Sequence, residues 1–179
     1  VGTPTVSDPG YRLIRLCRLQ KIPIVPVPGP SASVTALSVS GLPTNAFFFG
    51  GFLPARKSHR CRKLASLKSL PITLIFYETP RRIRSALEDM LEVFGNREIF
   101  VGRELTKVHE EHLFGRITEI LPRIVEKGEF VIVVNGNRDP KPGRVDVSGL
   151  TRKQLLNLLS TQSGIGKRQL YNILFKKDE

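Results

Sequence analysis

The chain has 179 residues, 40% of them hydrophobic and 25% charged, proportions that exclude a disordered chain and suit one sizeable domain or two small ones. Its 28 Lys and Arg against 16 Asp and Glu leave a formal net charge of +12, which favours a polyanionic partner, nucleic acid first, because each phosphate neutralised releases counterions. No apolar run has the length of a membrane span or forms a signal-peptide core, and Cys17 and Cys61 make neither a disulfide framework nor a metal spacing, so they read as packed thiols of a reducing compartment.

The opening "VGTPTVSDPG" holds two turn signatures before any strand, so the sequence starts inside a connection, at Val1 rather than Met, and reads as a piece of a longer chain. Tyr11 to Leu19 follows with apolar residues at helical spacing and Arg12, Arg15 and Arg18 opposite. "IPIVPVP" reads as a short strand broken by prolines. "GPSASVTALSVSGLP" predicts a small-residue helix with Ser31 as N-cap and Gly41 at its exit. "AFFFGGFLP" predicts a buried strand interrupted at Gly50-Gly51, and Ser58 opens a basic helix through Leu70. "ITLIFYE" is the clearest strand, and Pro80 is placed where the next helix, Arg81 to Phe94, begins, with Gly95 closing it. "REIFVGREL" is a strand, "GRITEILPRIVEKG" a short charged stretch, and "EFVIVVNG" the last strand. Alternating strands and helices make the fold α/β with a mostly parallel or mixed sheet. Residues 138–147 have a linker composition, and beyond them Thr151 caps a helix ending near Ser160. "SGIGKRQ" then turns into a second helix reaching Lys177, the outline of a helix-turn-helix.

Four stretches put glycine or small residues at carboxyl ends of predicted strands: "GTPTVSDPG", "VPGPSAS", "FYETP" and "VGRELTKVHEEH". Loops at those ends present backbone donors and acceptors to a small molecule, so together they suggest one cleft, although each taken singly is equally a strand terminator. In "RELTKVHEEH" the spacing of His109 and His112 is three, not the four of a zinc-binding helix. Its Lys and Glu residues allow two readings, a network that orients and partly deprotonates a substrate hydroxyl, or surface ion pairs. The acid-free clusters around Arg56, Lys57, Arg60, Arg62 and Lys63, and at Arg81 and Arg82, resemble a phosphate track. Neither a Walker loop nor a G-x-G-x-x-G fingerprint is present, so nothing points to a nucleoside triphosphate or NAD.

In that order, "GTPTVSDPG", "VPVPGPSA…ALSVSGLP", "FFFGGFLP", "FYETPRRI", "GRELTKVHEE" and "KGEFVIVV" resemble the motifs of the bacterial ribosomal small-subunit RNA methyltransferase I family. The resemblance covers nearly the whole chain, and "RELTK-x-HEE" and "GFLP" set it apart from the corrin and sirohaem C-methyltransferases and diphthine synthase. It implies the tetrapyrrole-methylase (class III) S-adenosylmethionine (SAM) methyltransferase fold. That fold has two α/β domains, the first incomplete here, plus a small C-terminal helical extension. The implied division is 1–28 for the remainder of the first domain, 29–137 for the second, 138–147 for a linker and 148–179 for a basic helix-turn-helix-like tail.

The resemblance further implies methylation of a cytidine ribose 2′-hydroxyl in 16S rRNA, with SAM as cofactor, the small ribosomal subunit as partner, no metal, no membrane, a homodimer and a cytoplasmic location. It places Gly2, Thr3, Pro4, Val6, Ser7, Ser31, Ala32, Tyr77, Glu78, Leu105 and Glu129 around SAM. Lys107 and Glu110 are expected on the substrate side, in catalytic roles. Arg56, Lys57, Arg60, Arg62, Lys63, Arg81, Arg82, Lys167 and Arg168 are expected to meet RNA. Two other readings share the residues: a tetrapyrrole or other small-molecule methyltransferase, and an RNA-binding remnant without catalysis.

Overall fold

The computed structural model describes residues 2–137, 151–163 and 166–175. The linker at 138–147, residues 148–150, the middle of the "SGIGKRQ" turn and the end of the second tail helix lie outside the described residues. The chain divides into two compact units, Val1–Pro140 and Lys141–Glu179.

In the first unit, helix α1 (Tyr11–Leu19) and helix α2 (Ala32–Val39) precede strand β1 (Phe47–Phe52). Helix α3 (Lys57–Leu67), strand β2 (Thr73–Glu78), helix α4 (Ile83–Phe94) and strand β3 (Glu98–Arg103) follow. Strand β4 (Glu111–Arg116), the one-turn helix α5 (Ile117–Ile120) and strand β5 (Phe130–Val134) complete it. The sheet order is β1-β2-β5-β3-β4. Only β1 and β2 run parallel; β2 with β5, β5 with β3 and β3 with β4 are antiparallel. The sheet is therefore mixed rather than mostly parallel.

The period of two in the strands sorts side chains between two cores. Leu74 and Phe76 of β2 and Phe130, Ile132 and Val134 of β5 face one side, where Leu64 of α3 and Ile83, Leu87 and Met90 of α4 cover them. Ile75, Val131 and Val133 face the other side, with Ala36 and Leu37 of α2. The middle strand β5 is buried throughout, which its run "FVIVV" requires.

Several local expectations change. "IPIVPVP" forms no strand: Val25 and Val27 are 82% and 78% exposed, because three prolines remove donors that a ladder would need. The helix after β2 starts at Ile83, and Pro80 sits in the turn before it, where Arg82 and Ile83 both donate backbone N–H to Thr79 O. An edge strand that the sequence pattern did not predict, β4, overlaps the expected charged stretch only at Gly115 and Arg116 and pairs with β3 from Glu98↔Arg116 to Arg103↔Glu111. Gly50-Gly51, expected to interrupt a buried strand, falls at a register shift between Phe49 and Phe52, but none of the six residues of β1 is fully buried. Helix α1 buries none of its residues.

In the second unit, helices α6 (Arg152–Ser163) and α7 (Lys167–Phe175) pair. Thr151 and Gln154 cap α6 reciprocally: Thr151 N donates to Gln154 Oε1 at 2.9 Å, and Gln154 N to Thr151 Oγ1 at 3.4 Å. The Arg152 guanidinium lies 5.3 Å from the Phe175 ring centroid.

Candidate functional site

The carboxyl ends of β2 and β3, the entry to β5 and the turn Gly2–Asp8 enclose a cavity of about 490 Å³, well within the span of small-molecule sites. Ten of the eleven residues expected around a cofactor line it: Gly2, Thr3, Val6, Ser7, Ser31, Ala32, Tyr77, Glu78, Leu105 and Glu129. Pro4 lies in the same turn, exposed, and does not line it. Sequence reasoning missed Asp8, Phe52, Thr79, Pro80, Phe130 and Val131, which also form the wall. All six lie within the quoted motifs "GTPTVSDPG", "FFFGGFLP", "FYETPRRI" and "KGEFVIVV", which were the available signal.

The N-terminal turn is tied to the start of α2. Thr3 N donates to Pro30 O at 2.7 Å, and Thr3 Oγ1 donates to Gly29 O and Pro30 O at 3.2 and 3.1 Å. Ser31 occupies the N-cap position of α2 but makes no side-chain capping bond; its Oγ pairs with Ser33 Oγ at 2.9 Å. The Tyr77 hydroxyl does the capping from across the cavity, accepting from Ser33 N at 3.1 Å. Phe49 and Phe52 hold the Tyr77 ring edge-on at centroid distances of 4.9 and 5.6 Å.

Glu78 is buried at the end of β2. Its Oε2 accepts from Thr79 N at 2.8 Å and from Arg82 Nη2 at 2.9 Å, while Oε1 has no hydrogen-bond partner among the described residues. Burial raises the carboxyl above its ordinary value near 4.5, against the smaller opposing effects of the Thr79 N–H and Arg82. A carboxyl raised by folding binds its proton more tightly in the folded chain. Its stabilisation is therefore full below the ordinary value and is lost as pH rises through the raised one. Urea titrations from about pH 4 to about pH 7 are expected to show Glu78→Gln gaining on the wild type as pH rises. A difference independent of pH would overturn this.

Lys107 and Glu110, expected in catalytic roles, do not line the cavity. Lys107 Nζ is shared between Glu104 Oε1 at 2.9 Å and Glu129 Oε2 at 3.0 Å. Those carboxylates, Glu104 first, raise its value, so the ammonium keeps its proton. Glu104 is held below its ordinary value, first by the Glu129 N–H and then by Lys107. This network weakens as pH falls through that lowered value. Glu110 accepts from Thr106 N and lies 3.3 Å from His112 Nε2.

Among the described residues, the basic side chains separate into those exposed and those engaged with a neighbour. Arg56, Arg62, Arg81, Lys167 and Arg168 are exposed, and Lys63 lies 5.3 Å from the Phe48 ring centroid. Lys57 pairs with Glu92 at 3.1 Å and Asp89 at 3.4 Å. Arg82 is bound to Glu78, Thr79 Oγ1 and Leu53 O. Arg60 corrects its expected place on a phosphate track. It is 4% exposed, and its Nε meets Asp89 Oδ2 at 2.6 Å, inside the α3–α4 contact. No cluster of His, Cys, Asp and Glu suited to a metal occurs among the described residues.

A mixed sheet between helices, with a ligand-sized cavity at its strand ends, defines an α/β chain of small-molecule-binding type. The family described as Tetrapyrrole (Corrin/Porphyrin) Methylases matches residues 1–121, and the chain belongs to it. It is similar to the ribosomal RNA small subunit methyltransferase I of Halalkalibacterium halodurans, 40% identical over 96% of this chain and 66% of that protein. The protein of that name from Vibrio cholerae is 47% identical over 77% of this chain and 50% of its own length. The one from Rickettsia prowazekii is 37% identical over 98% of this chain and 68% of its own length. The chain thus spans about half to two thirds of these relatives.

Among solved structures, the methyltransferase CobJ superposes with a TM-score of 0.57 at 18% identity, covering 75% of this chain and 62% of CobJ. The uroporphyrin-III C-methyl transferase from Thermus thermophilus, complexed with S-adenyl homocysteine, gives 0.51 at 18% identity, covering 74% and 62%. At that identity they share the fold.

Proposed function

We propose that this chain is part of a SAM-dependent methyltransferase acting on the ribose 2′-hydroxyl of a cytidine in small-subunit ribosomal RNA. The observation that carries the reading is a separation of charge. The chain has a formal net charge of +12, yet the cavity wall holds Asp8, Glu78 and Glu129 and no Lys or Arg. Although Glu78 pairs with Arg82 and Glu129 with Lys107, a wall with no Lys or Arg of its own suits a cationic ligand, and a basic exterior suits a polyanion. A small macrocycle needs no such extended basic exterior, which favours the RNA reading over a tetrapyrrole.

The residues fit SAM on the chemistry of their donors and their size. Ser31 and Ala32 leave room at the start of α2, while Leu105, Phe130 and Val131 offer an apolar side. Gly2, Thr3, Val6, Ser7, Tyr77, Glu78 and Glu129 supply polar and backbone groups around it. When bound, SAM supplies a methyl group activated on a sulfonium. The chain's part is to hold the attacking oxygen in line and to exclude water, which removes much of the entropic barrier. Exposed Arg56, Arg62, Arg81, Lys167 and Arg168, with the half-buried Lys63, would contact phosphates and position the strand.

The same reading takes residues 1–28 as the end of a first α/β domain, 29–137 as the second, 138–147 as a linker and 148–179 as the tail. A homodimer and a cytoplasmic location go with it; no described helix is long and apolar enough to cross a membrane. The test is transfer of a labelled methyl group from SAM to unmethylated small ribosomal subunits, followed by mapping of the modified ribose. Label at one cytidine 2′-oxygen is expected. Label on a tetrapyrrole instead, or RNA binding with no transfer to either, would overturn the reading.

A further inference from the structure

The connection between β3 and β4, residues 104–110, is bent in an unusual way. Glu104 and Thr106 both have left-handed backbones, with φ of 49° and 66°, although neither is glycine. Side chains adopt that conformation at a cost, and it persists only where the surroundings over-determine it. The two bends flank Leu105 and fold it back over β3. A Cβ at Gly102 would lie 2.8–2.9 Å from the Leu105 Cδ and Cγ atoms. So placed, Leu105 forms the cavity wall beside Glu129, Phe130 and Val131.

The bends are held by bonds between the loop and Glu129, a residue of the wall, and by Lys107, which does not line the cavity. Glu104 N donates to Glu129 O at 2.9 Å, and Glu104 Oε1 accepts from Glu129 N at 2.8 Å. Gly128, with φ of 85°, lets Glu104 come this close, since a Cβ there would be 2.5 Å from Glu104 Cγ. Lys107 closes the arrangement. Its backbone N–H donates to Glu104 O at 3.0 Å, and its ammonium bridges Glu104 on the loop to Glu129 at the entry to β5. Both segments carry wall residues, and Lys107 touches the cavity through neither of its own ends.

We propose that Lys107 is a positioning residue, a latch between the 104–110 loop and the entry to β5 that keeps Leu105 in the wall of the methyl-donor cavity. The proposal rests on the reading of that cavity as the donor site. Lys107 takes no proton and contacts no reacting atom. It acts through Leu105, so its removal changes donor affinity rather than the chemical step.

The experiment compares Lys107→Met, Lys107→Arg, Leu105→Ala and the double variant Lys107→Met/Leu105→Ala. The probes are SAM and S-adenosylhomocysteine by calorimetry, together with KM and kcat. Lys107→Met is expected to weaken both nucleosides about tenfold and raise KM for SAM, with kcat at saturation unchanged. Arginine, whose fork reaches both carboxylates, recovers most of the loss. In the Leu105→Ala background the Lys107 change adds less than about twofold, because the two residues act as one unit. A loss confined to kcat, or fully additive single effects, would overturn the proposal.

Failure of the wild type to bind either nucleoside would sink the donor reading alone, because the latch has its own readout. Lys107→Met should shift the Leu105 methyl resonances and speed amide exchange over residues 104–107. Unchanged resonances and exchange would overturn the latch itself.

Discussion

Asp89→Leu is expected to lower stability by about 3–5 kcal/mol, the scale of stranding one member of a buried ion pair. Asp89 is 3% exposed and Arg60 4%, and their contact is 2.6 Å. Arg60 also donates from Nη1 to Pro54 O at 3.3 Å and Ala55 O at 3.0 Å, so it joins α3, α4 and the segment after β1. Removing the carboxylate leaves a buried guanidinium whose remaining partners are the neutral carbonyls of Pro54 and Ala55. The double change Arg60→Met/Asp89→Leu removes both charges and is expected to recover most of the loss. Urea midpoints of the three proteins decide the matter. A single variant within about 1 kcal/mol of wild type would mean that the pair is solvated in solution.

The second large effect concerns ligand rather than stability. Ala32 is the first residue of α2 and is exposed to the cavity instead of packed in a core. Ala32→Trp places an indole in the cavity and is expected to weaken binding of SAM about a hundredfold or more, roughly 2.7 kcal/mol. Because the position is not in the core, stability should stay within about 0.5 kcal/mol. Ala32→Ser, which leaves the space open, should bind nearly as the wild type does. Calorimetry with SAM, alongside a thermal melt, tests both statements. An undiminished affinity in Ala32→Trp would place the donor elsewhere.

Much of the fold could be read from local pattern. The amphipathic run 11–19, the small-residue helix after Pro30, "ITLIFYE" and "EFVIVV" all appear where periodicity puts them, because their signals lie within one element. What could not be read depends on distant partners. In β4, "EHLFGR" turns only Leu113 fully into the core, so an edge strand looks like a charged loop until β3 is beside it. Arg60 stands in a run with no acid, and its partner is 29 residues away on another helix. Exposure on a charged helix was the natural expectation.

The cavity wall was legible through short motifs, yet the role of Lys107 was not. A lysine among glutamates reads equally as a base, a surface pair or a strut. Only the left-handed backbones of Glu104 and Thr106 and the reach to Glu129 separate these readings.

The Tyr77 hydroxyl that caps α2 also gives the molecule an optical reporter. The sequence has no tryptophan and three tyrosines, so near-ultraviolet emission comes from those three phenols alone. Tyr11 and Tyr171 are 62% and 43% exposed, whereas Tyr77 stands in the cavity wall. An aromatic ligand seated there would lie close enough to alter the Tyr77 emission, so occupancy could be followed by intrinsic fluorescence without a label.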